Sequence, residues 1–286
     1  MLVSERIGQF FVQDAAGHRD RLEYTEYGAG DAWLVLLPAP FLSRRMHQPL
    51  ARALAAGGLH VVTLDPLGQG RSDRPADPLA YSLTTAAEHV VALLDHLGAP
   101  AAVVGGTSIG ANVALEVAVA SPGRVKGLLL EAPVLDNALQ TAVLTLTPLM
   151  LASRYAPVAV GAVRAAVRPV PRGVLPFWLG VALEAGNQRS RPLGALVHGL
   201  LMGRLAPHSD ARRVVRVPAL VVAHRGDPWH PVADARLVAE ELPDALLLVA
   251  GSPLEWRLRP QRLTVEAIEF GRRCWKSPRR RRRAPA

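Results

Sequence analysis

Gly106-Thr107-Ser108-Ile109-Gly110 is a G-x-S-x-G run set between an apolar stretch, 101–104, and a helix-forming stretch, 112–118. That setting predicts a strand, a sharp turn and a helix, with Ser108 at the turn. A turn this tight strains the backbone of its central residue, and Gly105, Gly106, Gly110 and Ala111 give it room. A serine held there stands above the sheet. The N–H of Ile109, at the start of the helix, would face an oxyanion formed on an attacked carbonyl. The chemistry this serves is nucleophilic acyl transfer. The plainer alternative is a Gly-rich strand-to-helix turn in another doubly wound fold.

A serine nucleophile needs a base to take its proton and an acid to orient that base. Asp227 follows an apolar strand ending near Ala223, in His224-Arg-Gly-Asp-Pro-Trp-His-Pro231; its alternative role is a turn or N-cap residue. The chain has nine histidines. His18 falls in a hairpin turn, His60 at the wrong end of a strand, and His47, His89 and His96 on covering helices, all read as structural or surface residues. His198 and His208 belong to a helical insertion or its exit, from which either could hang over the site. His224 and His230 belong to the C-terminal edge itself, where open α/β sheets bind ligands. His230 is the first candidate base because its loop also carries Asp227. His224 is second, because strand geometry can turn it into the sheet. A packed or solvent-facing role is the alternative for either.

The elements that must position these residues read as alternating strands and helices, which argues a mainly parallel sheet covered on both faces. Residues 8–12 and 22–27 form an antiparallel pair joined by a turn at 15–18. Strands follow at 33–37, 60–64, 100–105, 125–130, 219–223 and 245–250. Helices are expected at 45–56, from 85 to 97, at 109–120, 232–242 and 261–272. Between 136 and 206 only helices are legible, broken at Pro148, Pro157, Pro169, Pro171, Pro176 and Pro192. The division expected is a first core part (1–135), a helical lid insertion (136–206), a second core part (207–272) and a basic disordered tail (273–286).

Composition narrows the classes. The net charge of +9 is concentrated at the end: from Gly271 onward there are eight basic residues and no acid, leaving the rest near +1. A basic stripe on folded elements, as a nucleic-acid-binding body needs, is not visible. Contact with nucleic acid or an anionic membrane is therefore expected only through Arg279 to Arg283, which otherwise read as a solvated tail. The best apolar stretch, 138–152, is too short to span a bilayer. No secretory signal is legible, and the single cysteine, Cys274, agrees with a reducing cytoplasm. The insertion has no acid between Asp136 and Glu184 and is rich in aliphatic residues, as a cover over an apolar pocket would be.

The elbow, the chain order Ser108 then Asp227, and the loop Asp65-Pro-Leu-Gly-Gln-Gly-Arg-Ser72 together resemble the α/β-hydrolase superfamily, over about residues 20–271. The resemblance implies an α/β-hydrolase fold: a mainly parallel sheet of about eight strands with an inserted helical lid. It implies Ser108 as nucleophile, Asp227 as acid, and no cofactor or metal. An aspartate nucleophile, as in dehalogenases and epoxide hydrolases of this fold, is excluded if the elbow is correctly placed. Two positions depart from the family pattern. Ser252 stands where the catalytic histidine usually follows the last strand. Leu37-Pro38-Ala39-Pro40-Phe41 replaces the usual His-Gly of the oxyanion loop, and Pro40 has no N–H to donate; Phe41 is the substitute donor.

Two functions of different class follow. The first is a cofactor-free serine hydrolase acting on a small to medium apolar ester, lactone or amide, with Ser108, Asp227, a relocated His230 or His224, and Ile109 with Phe41 as oxyanion donors. The second is a protein of the same fold that has lost hydrolysis and binds or remodels an apolar ligand. The oligomeric state is not legible.

Overall fold

The computed structural model describes residues 3–13, 17–171 and 175–276. Eight strands form one sheet: β1 (Glu5–Gln13), β2 (Arg19–Tyr27), β3 (Trp33–Leu37), β4 (His60–Leu64), β5 (Ala102–Thr107), β6 (Val125–Glu131), β7 (Ala219–His224) and β8 (Ala245–Ala250). Their spatial order is β1-β2-β4-β3-β5-β6-β7-β8. β2 pairs antiparallel with both β1 and β4, and every later pairing is parallel. β5 lies between β3 and β6 and is buried along its length. Burial on both faces explains why β3, Trp33-Leu-Val-Leu-Leu37, is a continuous apolar run instead of an alternating one.

Helices α1 (Gln48–Ala56), α2 (Leu83–His96) and α3 (Ile109–Ala120) follow the early parallel strands, and α4 (Asp136–Tyr155), α5 (Pro157–Val167), α6 (Phe177–Ala185), α7 (Ser190–Met202) and α8 (Ser209–Arg213) stand between β6 and β7. Then come α9 (Val232–Glu241), α10 (Glu255–Leu258) and α11 (Gln261–Trp275). The sheet separates two cores. One packs α2, α3 and α9 against one face; the other packs α1 and α11 against the opposite face.

Three boundaries differ from the sequence reading. The first covering helix begins as a 3-10 turn, Arg44–His47, because Pro49 sets the α-helical start only at its first turn. Pro148 does not break α4, which runs through it for 20 residues. Its ring costs one intrahelical hydrogen bond, and packing of α4 against α7 and α5 holds the helix together. The last helix continues past 272 to Trp275, so 273–275 are not part of a tail. Trp275 donates its indole N–H to the Trp33 carbonyl at 3.2 Å, and with Cys274 it packs on the second core. Arg279 to Arg283, and residues 14–16 of the expected hairpin turn, lie outside the described residues. Among the described residues no single helix is long and apolar enough to cross a membrane.

Candidate active site

β5 ends at Thr107 and α3 begins at Ile109, so one residue makes the turn. Ser108 has φ 58° and ψ −124°, a conformation that costs a side-chain-bearing residue of order 1–3 kcal/mol. The neighbouring glycines are there for close approach of backbone. A Cβ on Gly106 would lie 2.5 Å from the Leu37 carbonyl oxygen, and one on Gly110 would lie 2.4 Å from the same atom. The Ser108 amide donates to the Glu131 carbonyl at 2.9 Å, and its own carbonyl accepts from Ala111 and Asn112, which starts the helix. The serine is buried, and its hydroxyl lies 3.0 Å from Nε2 of His230.

His230 comes from the loop after β7. Gly226, at φ 72°, turns the chain, and Asp227 then accepts the amide protons of Trp229 (2.8 Å) and His230 (3.1 Å) on Oδ1. This Asx-type turn curls the loop back on itself. It leaves Oδ2 2.9 Å from His230 Nδ1. The imidazole thus bridges the carboxylate and the serine hydroxyl, one ring nitrogen to each. Burial opposes ionisation of Asp227, but the hydrogen bond and charge of His230, with the two amides, outweigh it and hold the carboxyl below its usual range.

On the oxyanion side, Ile109 is the first residue of α3, so its amide has no intrahelical acceptor. Phe41 has φ 68°, one of three non-glycine residues with positive φ among the described residues. Its amide finds no acceptor among the described residues. Strain at Ser108 and Phe41 together marks two backbone segments held in place by their surroundings.

His224 is not brought to Ser108. It is buried at the end of β7, with Nε2 3.0 Å from Glu131 Oε1 and Nδ1 3.1 Å from the Ser252 carbonyl. Burial would lower its pKa, but Glu131 raises it on balance. Glu131 also receives the Thr107 hydroxyl at 2.6 Å and the Arg257 guanidinium at 2.7 Å. Burial disfavours its charge, yet Arg257, His224 and Thr107 hold its carboxyl well below the usual range. This buried ion cluster lies directly behind the elbow, since Glu131 supplies the carbonyl that takes the Ser108 amide. Sequence reasoning missed Glu131 and Arg257. The available signal was an acid closing an otherwise apolar strand, Leu128-Leu-Leu-Glu131, because a buried carboxylate requires a partner.

The remaining histidines are elsewhere. His47 is buried with Nε2 3.0 Å from the Leu37 carbonyl, and burial, with the nearby Arg257, lowers its pKa to about 4. His60 bonds to Gly30 and Glu26, and His96 to Tyr24. His198 and His208, expected to hang over the site, are exposed and make no hydrogen bond to Ser108. Ser252 is exposed. Among the described residues no group of three or more His, Cys, Asp or Glu is placed to hold a metal ion.

Two cavities flank these segments. One, of about 60 Å³, is apolar and is lined by Pro38, Pro40, Ile109, Val113, Leu196 and Leu200 among others. The second, of about 390 Å³, is polar and opens between Phe41, the loop after β4 and the helices of the insertion.

A family model described as "alpha/beta hydrolase fold" matches residues 32–166. An epoxide hydrolase of Caballeronia sordidicola is 32% identical over 127 residues, 44% of this chain and 38% of that protein. A 2-hydroxymuconate semialdehyde hydrolase of Pseudomonas putida is 41% identical over 70 residues, 24% of this chain and 25% of that protein. The chain thus spans well under half the length of these curated relatives. Among solved structures, the enol-lactonase of Burkholderia xenovorans LB400 superposes with a TM-score of 0.72 at 19% identity, covering 91% of this chain and 98% of that one. Sheet order, strand-to-helix elbow, the family model over residues 32–166 and the structural likeness agree that the chain has the α/β-hydrolase fold.

Proposed function

We propose that the chain is a cofactor-free serine hydrolase of small, largely apolar esters, lactones or amides. The observation that carries this reading is the His230 imidazole between Asp227 Oδ2 (2.9 Å) and Ser108 Oγ (3.0 Å). In the proposed reaction His230 Nε2 takes the Ser108 proton while Oγ attacks the substrate carbonyl carbon. Asp227 fixes the tautomer that leaves Nε2 free to accept, and it stabilises the imidazolium that forms. The developing oxyanion receives the amides of Ile109 and Phe41; one such donor typically contributes about 100- to 1,000-fold in turnover. The imidazolium then protonates the leaving group. Water, deprotonated by the same ring, releases the acyl group from Ser108.

The narrow apolar cavity beside Ile109 takes the acyl chain in this reading. At about 60 Å³ it is smaller than the ~150 Å³ of an apolar cavity that holds benzene, so short acyl groups fit it best. Helices α4 to α7 act as the lid. The hydrolase names carried by the similar proteins support the class of reaction. The competing reading, a ligand-binding protein without hydrolysis, rests on the missing histidine at 252, and the imidazole at 230 weighs against it.

The test is a serine-directed fluorophosphonate followed by peptide mapping. Modification of Ser108, absent in Ser108→Ala with an unchanged melting temperature, is the expected outcome. Modification only at another residue, or none, overturns the proposal.

A further inference from the structure

The second cavity has an unbalanced charge. Five arginines line it, Arg44, Arg45, Arg71, Arg74 and Arg168, against two carboxylates, Asp65 and Glu184. Both acids are already engaged. Arg44 pairs with Asp65 and with Glu23 and donates to Thr25; Arg45 pairs with Glu184. Three guanidiniums remain. Arg74 donates to the Ser72 and Gly70 carbonyls (3.1 and 2.5 Å) and to Gln188 (3.4 Å), and forms no ion pair among the described residues. Burial lowers its pKa, the mark of a cation without full compensation. The side chains of Arg71 and Arg168 meet no acceptor among the described residues. Arg71 and Arg74 stand on the loop after β4, whereas Arg168 follows α5, so like charges from two segments border one space of about 390 Å³.

Arg71 and Arg168 are exposed and Arg74 is half-buried, and two features tie this cavity to the site around Ser108. Phe41, whose strained amide is the proposed oxyanion donor, forms part of the same wall. The cavity also lies apart from the apolar one that receives the acyl chain, so it is placed for the other half of a cleaved substrate. An anion there would neutralise charges that the fold itself leaves unpaired, and planar guanidiniums suit a carboxylate in particular. Resting on the serine-hydrolase reading above, we infer that the substrate carries a carboxylate on its leaving-group side and that Arg71, Arg74 and Arg168 bind it.

Two esters with the same acetyl group separate the ideas: 4-acetoxybenzoate, which is anionic, and 4-acetoxybenzamide, which is neutral. The wild-type chain favours the anionic ester in kcat/KM, and Arg71→Ala/Arg168→Ala lowers that preference by about tenfold or more, the scale of one charged hydrogen bond. Raising salt lowers it as well. Calorimetric titration with 4-hydroxybenzoate, the product, reads the site without catalysis: saturable binding is weakened tenfold or more in the double variant, and 4-hydroxybenzamide binds weakly to both. Arg168→Glu alone serves if the double variant fails to fold. An unchanged ester preference, or no saturable binding of 4-hydroxybenzoate, overturns the anion site while fluorophosphonate labelling of Ser108 leaves the hydrolase reading standing. Arginine-dependent binding of 4-hydroxybenzoate without labelling keeps the anion site and rejects the hydrolase.

Discussion

Nε2 of His230 lies 3.0 Å from Oγ of Ser108, although 122 residues of chain separate them. The same ring meets Asp227, three residues before it in sequence, through its other nitrogen. Asp227 and His230 thus share one loop after β7, and the position after β8 is left to Ser252, whose carbonyl is occupied by His224.

The first prediction separates the two histidines at this edge. His230→Ala lowers turnover by about 100-fold or more, the scale of a general base, with little change in melting temperature, because the ring is partly exposed. His224→Ala does the reverse in kind: it leaves Glu131 with only Thr107 and Arg257 and lowers stability more than it lowers the chemical step. Chemical denaturation and steady-state kinetics on both variants check this. A kinetic loss confined to His224→Ala would reject His230 as the base.

Asp227→Asn is expected to be nearly isosteric and strongly impaired. An amide donating to Nδ1 places the imidazole proton on Nε2, facing Ser108, where a free electron pair is required. Turnover falls by about 100-fold or more and KM changes little. A kcat within threefold of wild type would show that the carboxylate is only the turn residue that its two amide contacts describe.

A histidine at 252 would not restore the family arrangement in this chain. Asp227 is already committed to His230, so Ser252→His alone brings no gain in esterase rate. In the His230→Ala background any rescue would have to recruit Asp227 away from its Asx turn. A rise in kcat for Ser252→His by itself would contradict the geometry at this loop.

Stability above neutrality tests the buried cluster. The folded-state pKa of His224 is raised, in spite of burial, by Glu131. Its contribution is therefore fully present below the unfolded value of about 6.5 and fades as pH rises through the raised folded value. Glu131→Gln removes this dependence. Urea unfolding at steps between pH 6 and 9 should show stability falling with pH in the wild type, and a shallower fall in the variant. Equal slopes would place His224 outside the linkage.

Acyl chain length tests the narrow cavity. Acetyl and butyryl esters should be hydrolysed with similar kcat/KM, and octanoyl esters at least about tenfold more slowly, a difference of some 1.4 kcal/mol. Leu196→Ala enlarges the space and shifts the optimum to longer chains. A wild-type preference for octanoyl esters would rule this cavity out as the acyl pocket.

Periodicity and turn chemistry act over a few residues, and what depended on them was legible in the chain itself. The continuous apolar run at 33–37 marked a strand buried on both faces, and 60–64 and 100–105 read as further strands. The glycines around Ser108 marked an elbow, and the early proline-rich helices after Asp136 marked an insertion in the sheet. Tertiary structure decided the rest. A strand fixes the direction of its side chains, so His224 could be suspected of turning inward; a loop does not, and the ring of His230 was aimed only once Gly226 and the two amide contacts of Asp227 had shaped the backbone. The Glu131 cluster was hidden for another reason. Its members stand on β5, β6, β7 and α10, and nothing short of the parallel register of the sheet brings Thr107, Glu131, His224 and Arg257 to one point. The backbone of Phe41 was equally non-local: a phenylalanine gives no sign of positive φ, and the surrounding packing imposes it. Local sequence determined which elements form and that Ser108 stands at the turn between β5 and α3, whereas long-range packing chose which imidazole reaches it.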